Sequence, residues 1–266
     1  KEEKIMGKMR KLLVGALLVA AGTMAMAHSD GGYVDNDFFK GMKKGDKAAV
    51  LMVHFGTTYD DARALSIDAI NNKAKKEFKG VDVKEAFTSR IVMRRLKERG
   101  IEKLNPSEVI NQLKADGYTH LLVQGTHIMN GVESTNLAEE LKNYEKDFKD
   151  IRIGNPLLTD HEDYEAVAKA LSDRIGPLKE GQGVVLVGHG THHFGGSAYA
   201  MMDYVLTDAG LNTYAVGTVE GYPAFDNVVK KLKAKRVKKV VLMPFMFVAG
   251  DHANNDIAED GTKDLQ

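Results

Sequence analysis

Gly188-His189-Gly190-Thr191-His192-His193 sets three of the chain's nine histidines among small residues, directly behind the apolar run Val184–Val187. Two later segments bring groups of similar chemistry. Glu220 follows Thr218-Val219, and His252 stands in Ala249-Gly-Asp-His-Ala-Asn-Asn-Asp256. Two imidazoles and a carboxylate suit a divalent first-row metal with open positions, such as cobalt, iron, nickel or zinc. The chain has no cysteine, so a thiolate site, a thiolate nucleophile and a disulfide are all excluded. An imidazole titrates near neutral pH and can take up protons as a general base. No compact motif such as H-E-x-x-H is present, so spacing alone leaves both a ligand role and a structural role open.

For His189, Glu220 and His252 to converge, each must stand at the carboxyl end of a strand, where open α/β sheets bind their ligands. The pattern supplies such strands. Short β-branched runs bounded by turn residues read as strands at Lys47–His54, Val81–Phe87, Thr119–Gln124 and Ile151–Ile153. Further strands follow at Val184–Val187, Thr213–Val219 and Lys239–Met243. Helices read between them, at Tyr59–Phe78, Arg90–Arg99, from Pro106 to before Gly117, and from Glu133 through Leu141. The series continues at His161–Ile175, Ser197–Leu206 and from Pro223 to Lys235. Thr88-Ser89 is placed to cap the Arg90 helix. Alternating strands and helices give an α/β fold with parallel sheets.

The second part repeats the first. His54-Phe55-Gly56-Thr57 lines up with His189-Gly190-Thr191 through the shared Gly-Thr, and His120-Leu-Leu-Val lines up with Lys239-Val-Val-Leu. In that register Glu133 stands opposite His252. The expectation is two similar parallel-sheet α/β halves, 47–175 and 176–266, with a ligand cleft between them. The second half stops at Gln266 early in a helix, which reads as a truncated repeat. Residues 28–46, rich in Gly, Asp, Asn and Lys, read as a flexible lead-in.

Lys8, Arg10 and Lys11 precede the apolar run Leu12–Ala21, and Ala25-Met26-Ala27 fits a small-residue cleavage site. The run, about ten residues, is half the ~20 needed to span a bilayer. Residues 1–27 therefore read as a cleaved signal peptide of a periplasmic protein with no stable membrane anchor. Lys and Arg number 37, as do Asp and Glu, a balance that argues against a nucleic-acid binder. Oligomeric state is not fixed by sequence, and a homo-oligomer stays open.

Four stretches together resemble the anaerobic sirohydrochlorin cobaltochelatase family of the CbiK type. They are Gly188–His193, the block Pro244–Asp256, Phe87-Thr-Ser-Arg90, and His127-Ile-Met-Asn-Gly-Val-Glu133. The resemblance covers roughly Lys47 to the C-terminus. It implies a class II chelatase fold, no organic cofactor, and insertion of Co²⁺ into sirohydrochlorin on the oxygen-independent route to cobalamin. It puts metal binding on His189, Glu220 and His252, with the cleft carboxylate at Glu133. Proton removal from the ring falls to His189, Glu220 or Glu133. Fe²⁺, Ni²⁺ and Zn²⁺ remain alternatives to Co²⁺, since ligand type does not separate them. Ser89, Arg90 and His127 are the expected substrate contacts, with a haem-like ring as another partner for His127.

Other residues have plainer readings. His54 lacks obvious partners and reads as structural, His192 and His193 as polar turn residues, and Arg94 and Arg95 as solvated helix charges. Lys230–Lys239 fits cations at a helix C-terminus. Met201, Met202, Met243 and Met246 fit core or pocket lining. A non-enzymatic periplasmic binding protein for a tetrapyrrole or metal is the main rival to the chelatase. A zinc hydrolase built on the same three ligands is a remoter one.

Overall fold

A computed structural model describes residues 22–23 and 38–248. The described residues divide into two compact units, with the boundary in the chain after Leu157. Helix His161–Ile175, which the sequence analysis assigned to the end of the first half, groups with the second unit.

In the first unit the strands are β1 (Gly22–Thr23), β2 (Ala48–His54), β3 (Asp82–Phe87), β4 (His120–Gly125) and β5 (Asp150–Gly154), in the order β1-β5-β4-β2-β3. β1 joins antiparallel at the edge, and the other pairings are parallel. Ala49 to Val53 of the central β2 are wholly buried, because a parallel strand covered on both faces must be apolar throughout. Helices α1 (Asp60–Arg63), α2 (Ala69–Glu77), α3 (Arg90–Glu98), α4 (Pro106–Ala115) and α5 (Val132–Lys142) alternate with these strands. Leu113, Leu121, Val123, Leu137 and Leu141 belong to the core beneath them. Asn105 closes a capping box with Glu108 at the start of α4, with Pro106 at its first position.

The helix expected over Tyr59–Phe78 is present with one change: Ala64–Asp68 winds as a π-helical stretch between α1 and α2. The end of the expected lead-in is anchored rather than loose. Phe38 is buried, edge-on to Phe39 and His120, and Asp46 accepts from Lys149 at 2.6 Å. Composition gave no sign of this, because a single Phe38-Phe39 pair among polar residues sets no period. Residues 28–37 lie outside the described residues.

The second unit holds β6 (Gln182–Gly190), β7 (Tyr214–Glu220) and β8 (Lys239–Pro244), all parallel, in the order β7-β6-β8. Its helices are α6 (His161–Ile175), α7 (Ser197–Asp208) and α8 (Phe225–Ala234). Lys231 of α8 reaches both carboxylate oxygens of Asp203 on α7, at 3.0 and 2.9 Å. β6 runs three residues past its expected end, so His189 rides on the strand itself.

The internal repeat is visible in the pairing. β2 is flanked by β3 on one side and β4 on the other, as β6 is by β7 and β8. Phe245 N–H donates to Val187 C=O at 2.7 Å, just as Thr126 N–H donates to Val53 C=O at 2.9 Å. That register equates Val53 with Val187 and Gly56 with Gly190. Both glycines have positive φ, +98° and +83°.

Candidate active site

Thr88 leaves the end of β3 and donates its hydroxyl to Glu133 Oε2 at 3.1 Å. Glu133 is exposed in the first turn of α5, where the helix dipole favours a carboxylate. Ser89, next along, caps α3: its Oγ accepts from Val92 N–H at 3.3 Å, which leaves the hydroxyl proton to donate elsewhere. Arg90 opens that helix and is exposed. The ends of β3 and β4 thus bring Ser89, Arg90 and Glu133 into one neighbourhood, with Thr88 as the link. The sequence marks Thr88 only as a capping residue, because its partner lies 45 residues on, beyond any local pattern.

His127 sits half-buried in the turn after β4. A Cβ on Gly125 would fall 2.3 Å from its Nδ1, so the glycine is what lets the ring fold back against the strand end. Burial, then the nearby His54, pushes its pKa down to about 4. It therefore meets a ligand as a neutral imidazole.

On the second unit, Gly190 of β6 pairs with Glu220, the last residue of β7. The approach is close: a Cβ on Gly190 would lie 1.6 Å from the Glu220 carbonyl oxygen. His189, one residue earlier, is exposed, and its Nδ1 lies 3.0 Å from Gly190 O. Donation from Nδ1 places the lone pair on Nε2, the arrangement in which a backbone carbonyl orients a ligating imidazole. The Tyr199 ring from α7 fills the space beside Gly188, and its hydroxyl accepts from Gly190 N–H at 3.4 Å. Thr218 ties down the turn after Glu220, donating from both N and Oγ1 to Pro223 O at 2.9 and 3.0 Å. An imidazole and a carboxylate therefore stand on adjacent strand ends. Among the described residues no three His, Asp or Glu side chains group closely enough to hold a metal. The third expected ligand, His252, lies outside the described residues.

His193 accepts from Gly195 N–H at 3.1 Å through Nδ1 and stacks on Phe194, while His192 is exposed. His54 departs from expectation, because it does have partners. It is fully buried, with Nε2 2.9 Å from Asn71 Oδ1 and Nδ1 3.0 Å from Thr126 Oγ1. The register equates it with Gly188 rather than His189, and a one-residue step along a strand turns a side chain to the other face.

Two parallel-sheet α/β units with ionisable groups at strand ends are the class II chelatase fold. SirB from Bacillus subtilis with Fe³⁺ shares it, with a TM-score of 0.58 over 80% of this chain and 82% of that one, at 18% identity. The family model for cobalt chelatase (CbiK) matches residues 48–266, and the chain belongs to that family. A sirohydrochlorin cobaltochelatase of Salmonella typhimurium is 37% identical over 215 residues, 80% of this chain and 81% of that protein. The sirohydrochlorin cobaltochelatase CbiKC of Nitratidesulfovibrio vulgaris is 30% identical over 215 residues, 80% and 76% of the two chains.

Proposed function

We propose that the chain inserts Co²⁺ into sirohydrochlorin, with the metal ion as substrate and His189, Glu220 and His252 as its transient holders. The observation that carries the reading is the pairing of Gly190 with Glu220, in a chain of the cobalt chelatase family. That pairing puts Glu220 at the end of the strand next to the one that carries His189, where Val219 is the residue level with His189.

Metallation exchanges two pyrrole N–H protons for one divalent cation. Neutral imidazoles and a carboxylate bind a borderline metal without the permanence of thiolates, so the ion can be passed on. The same groups accept protons as the metal leaves them, a role assigned to His189, Glu220 or Glu133. Glu133 is kept ready by Thr88, which donates to one carboxylate oxygen and leaves the other to face a ring nitrogen. Ser89 and Arg90 suit the ring's peripheral carboxylates, since a guanidinium binds a carboxylate bidentately. Those remote contacts supply the energy that bends the macrocycle and bares its lone pairs.

The test is an anaerobic mixture of protein, sirohydrochlorin and excess Co²⁺ or Fe²⁺, followed by the absorbance of the ring. Many metallated rings per chain support the enzyme. One tight spectral complex per chain, without turnover, replaces it with a binding protein. Residues 1–27 are assigned in the same proposal as a cleaved signal peptide, supported by their basic start, apolar run and Ala-Met-Ala end, so that the edge strand β1 (Gly22–Thr23) belongs to the uncleaved chain alone. The mature protein is then periplasmic.

A further inference from the structure

The first unit contains a polar chain that the proposed chemistry does not use. Lys103 Nζ meets Glu85 Oε1, and Glu85 Oε2 accepts from Asn71 Nδ2 at 2.8 Å. With its amide nitrogen committed there, Asn71 turns Oδ1 to His54 Nε2 at 2.9 Å. An oxygen acceptor at that distance requires Nε2 to carry the proton. Nδ1 then presents a lone pair to the Thr126 hydroxyl at 3.0 Å. That hydroxyl also lies 3.3 Å from Val53 O, so its single proton chooses between two acceptors, and the neutral imidazole draws it to Nδ1. Phe87 closes one side of the His54 ring edge-on, and Asp68 is the remaining charge near it.

The fold does not require an imidazole at this place. In the second sheet the equivalent residue is Gly188, and the Tyr199 ring fills the space. A buried polar group costs more than an apolar one unless every bond is made, and among the described residues no buried side-chain polar atom lacks a partner. The chain ends at Thr126, the residue before His127, in the turn that leads to Glu133.

We propose that His54 is a positioning residue, held by Asn71 as the neutral Nε2–H tautomer, that fixes Thr126 and through it the turn presenting His127. Its effect on rate rests on the chelatase reading; the tautomer and the turn geometry do not.

The experiment combines ¹⁵N spectra of the histidine rings in the full-length protein with Thr126→Val and Thr126→Ser. Valine keeps the shape of threonine and removes the hydroxyl, while serine keeps the hydroxyl. Wild type is expected to show His54 protonated on Nε2 alone at pH 7. Thr126→Val should shift the His127 ring resonances and lower kcat about tenfold with KM for sirohydrochlorin nearly unchanged, a loss of positioning rather than of binding. Thr126→Ser should restore both. A His54 proton on Nδ1 overturns the proposal, and so does a Thr126→Val protein matching wild type in both readouts. If wild type shows no turnover at all, the chelatase reading fails, and the His54 tautomer and the His127 shift still decide the positioning role.

Discussion

Thr88 Oγ1 lies 3.1 Å from Glu133 Oε2, so one bond joins the end of β3 to the first turn of α5 and holds a carboxylate beside the Ser89 cap. Glu133 can then hold a lone pair toward a ring nitrogen without the side chain searching for its rotamer.

Glu133→Gln keeps that bond and removes the proton acceptor. It should lower kcat about a hundredfold, the low end of general-base effects. Thr88→Val, which leaves the carboxylate in place but unanchored, should lower kcat only a few-fold. Steady-state metallation rates measure both. A Glu133→Gln protein that keeps the wild-type rate would mean that Glu133 acts only as a structural partner of Thr88.

Gly190→Ala should be far more damaging than a change at a comparable glycine elsewhere. Its φ is +83° and the new Cβ would meet the Glu220 carbonyl, whereas Gly210, at φ +79°, faces open space. Gly210→Ala should cost about 1 kcal/mol, the left-handed strain alone. Gly190→Ala should cost at least about 3 kcal/mol, because backbone must also move. Urea unfolding of both variants measures the difference, and Co²⁺ titration of the alanine protein at Gly190 should show weakened metal binding.

Stability should fall as pH drops from about 6.5 to about 4. His127 is held below its ordinary value, to about 4, by burial and by His54, and His54 is lowered too by its own burial. In that window the unfolded chain binds protons that the folded chain refuses, so acid favours unfolding, and the stability is fully present above about pH 6.5. The contribution of His127 is at most about 3 kcal/mol. His127→Gln should flatten the pH dependence of unfolding between those limits. An unchanged slope would show that His127 titrates normally.

Much of this was legible because buried parallel strands announce themselves. Val184–Val187 and Ala49–Val53 are continuous apolar runs, and Ser89 and Pro106 mark helix starts by local chemistry alone. The repeat was legible for the same reason, through the shared Gly-Thr that ends β2 and β6. What stayed hidden depends on contacts distant in sequence. His54 looked unpartnered because Asn71 and Thr126 reach it from 17 and 72 residues away. The π-helical stretch at Ala64–Asp68 has no residue that signals it, since Ala, Leu, Ser, Ile and Asp suit an ordinary helix about as well. Glu220 reads as a strand end, but only the pairing with Gly190 reveals which strand it ends beside.

Export makes its own prediction. Expressed with residues 1–27 in place in a Gram-negative host, the protein should be recovered from the periplasm with an N-terminus near His28, read by intact mass. Recovery from the cytoplasm with residues 1–27 attached would end the signal-peptide assignment.

The central claim is that His189 and Glu220 hand a metal ion to a tetrapyrrole. Its most direct test compares wild type, His189→Ala and Glu220→Gln in anaerobic turnover of sirohydrochlorin with Co²⁺, with metal affinity measured on the same preparations. The account predicts many turnovers for wild type, and for both variants at least about a hundredfold loss in rate with weaker Co²⁺ binding. Wild-type rates in His189→Ala would contradict it, and would move the metal's path away from the end of β6.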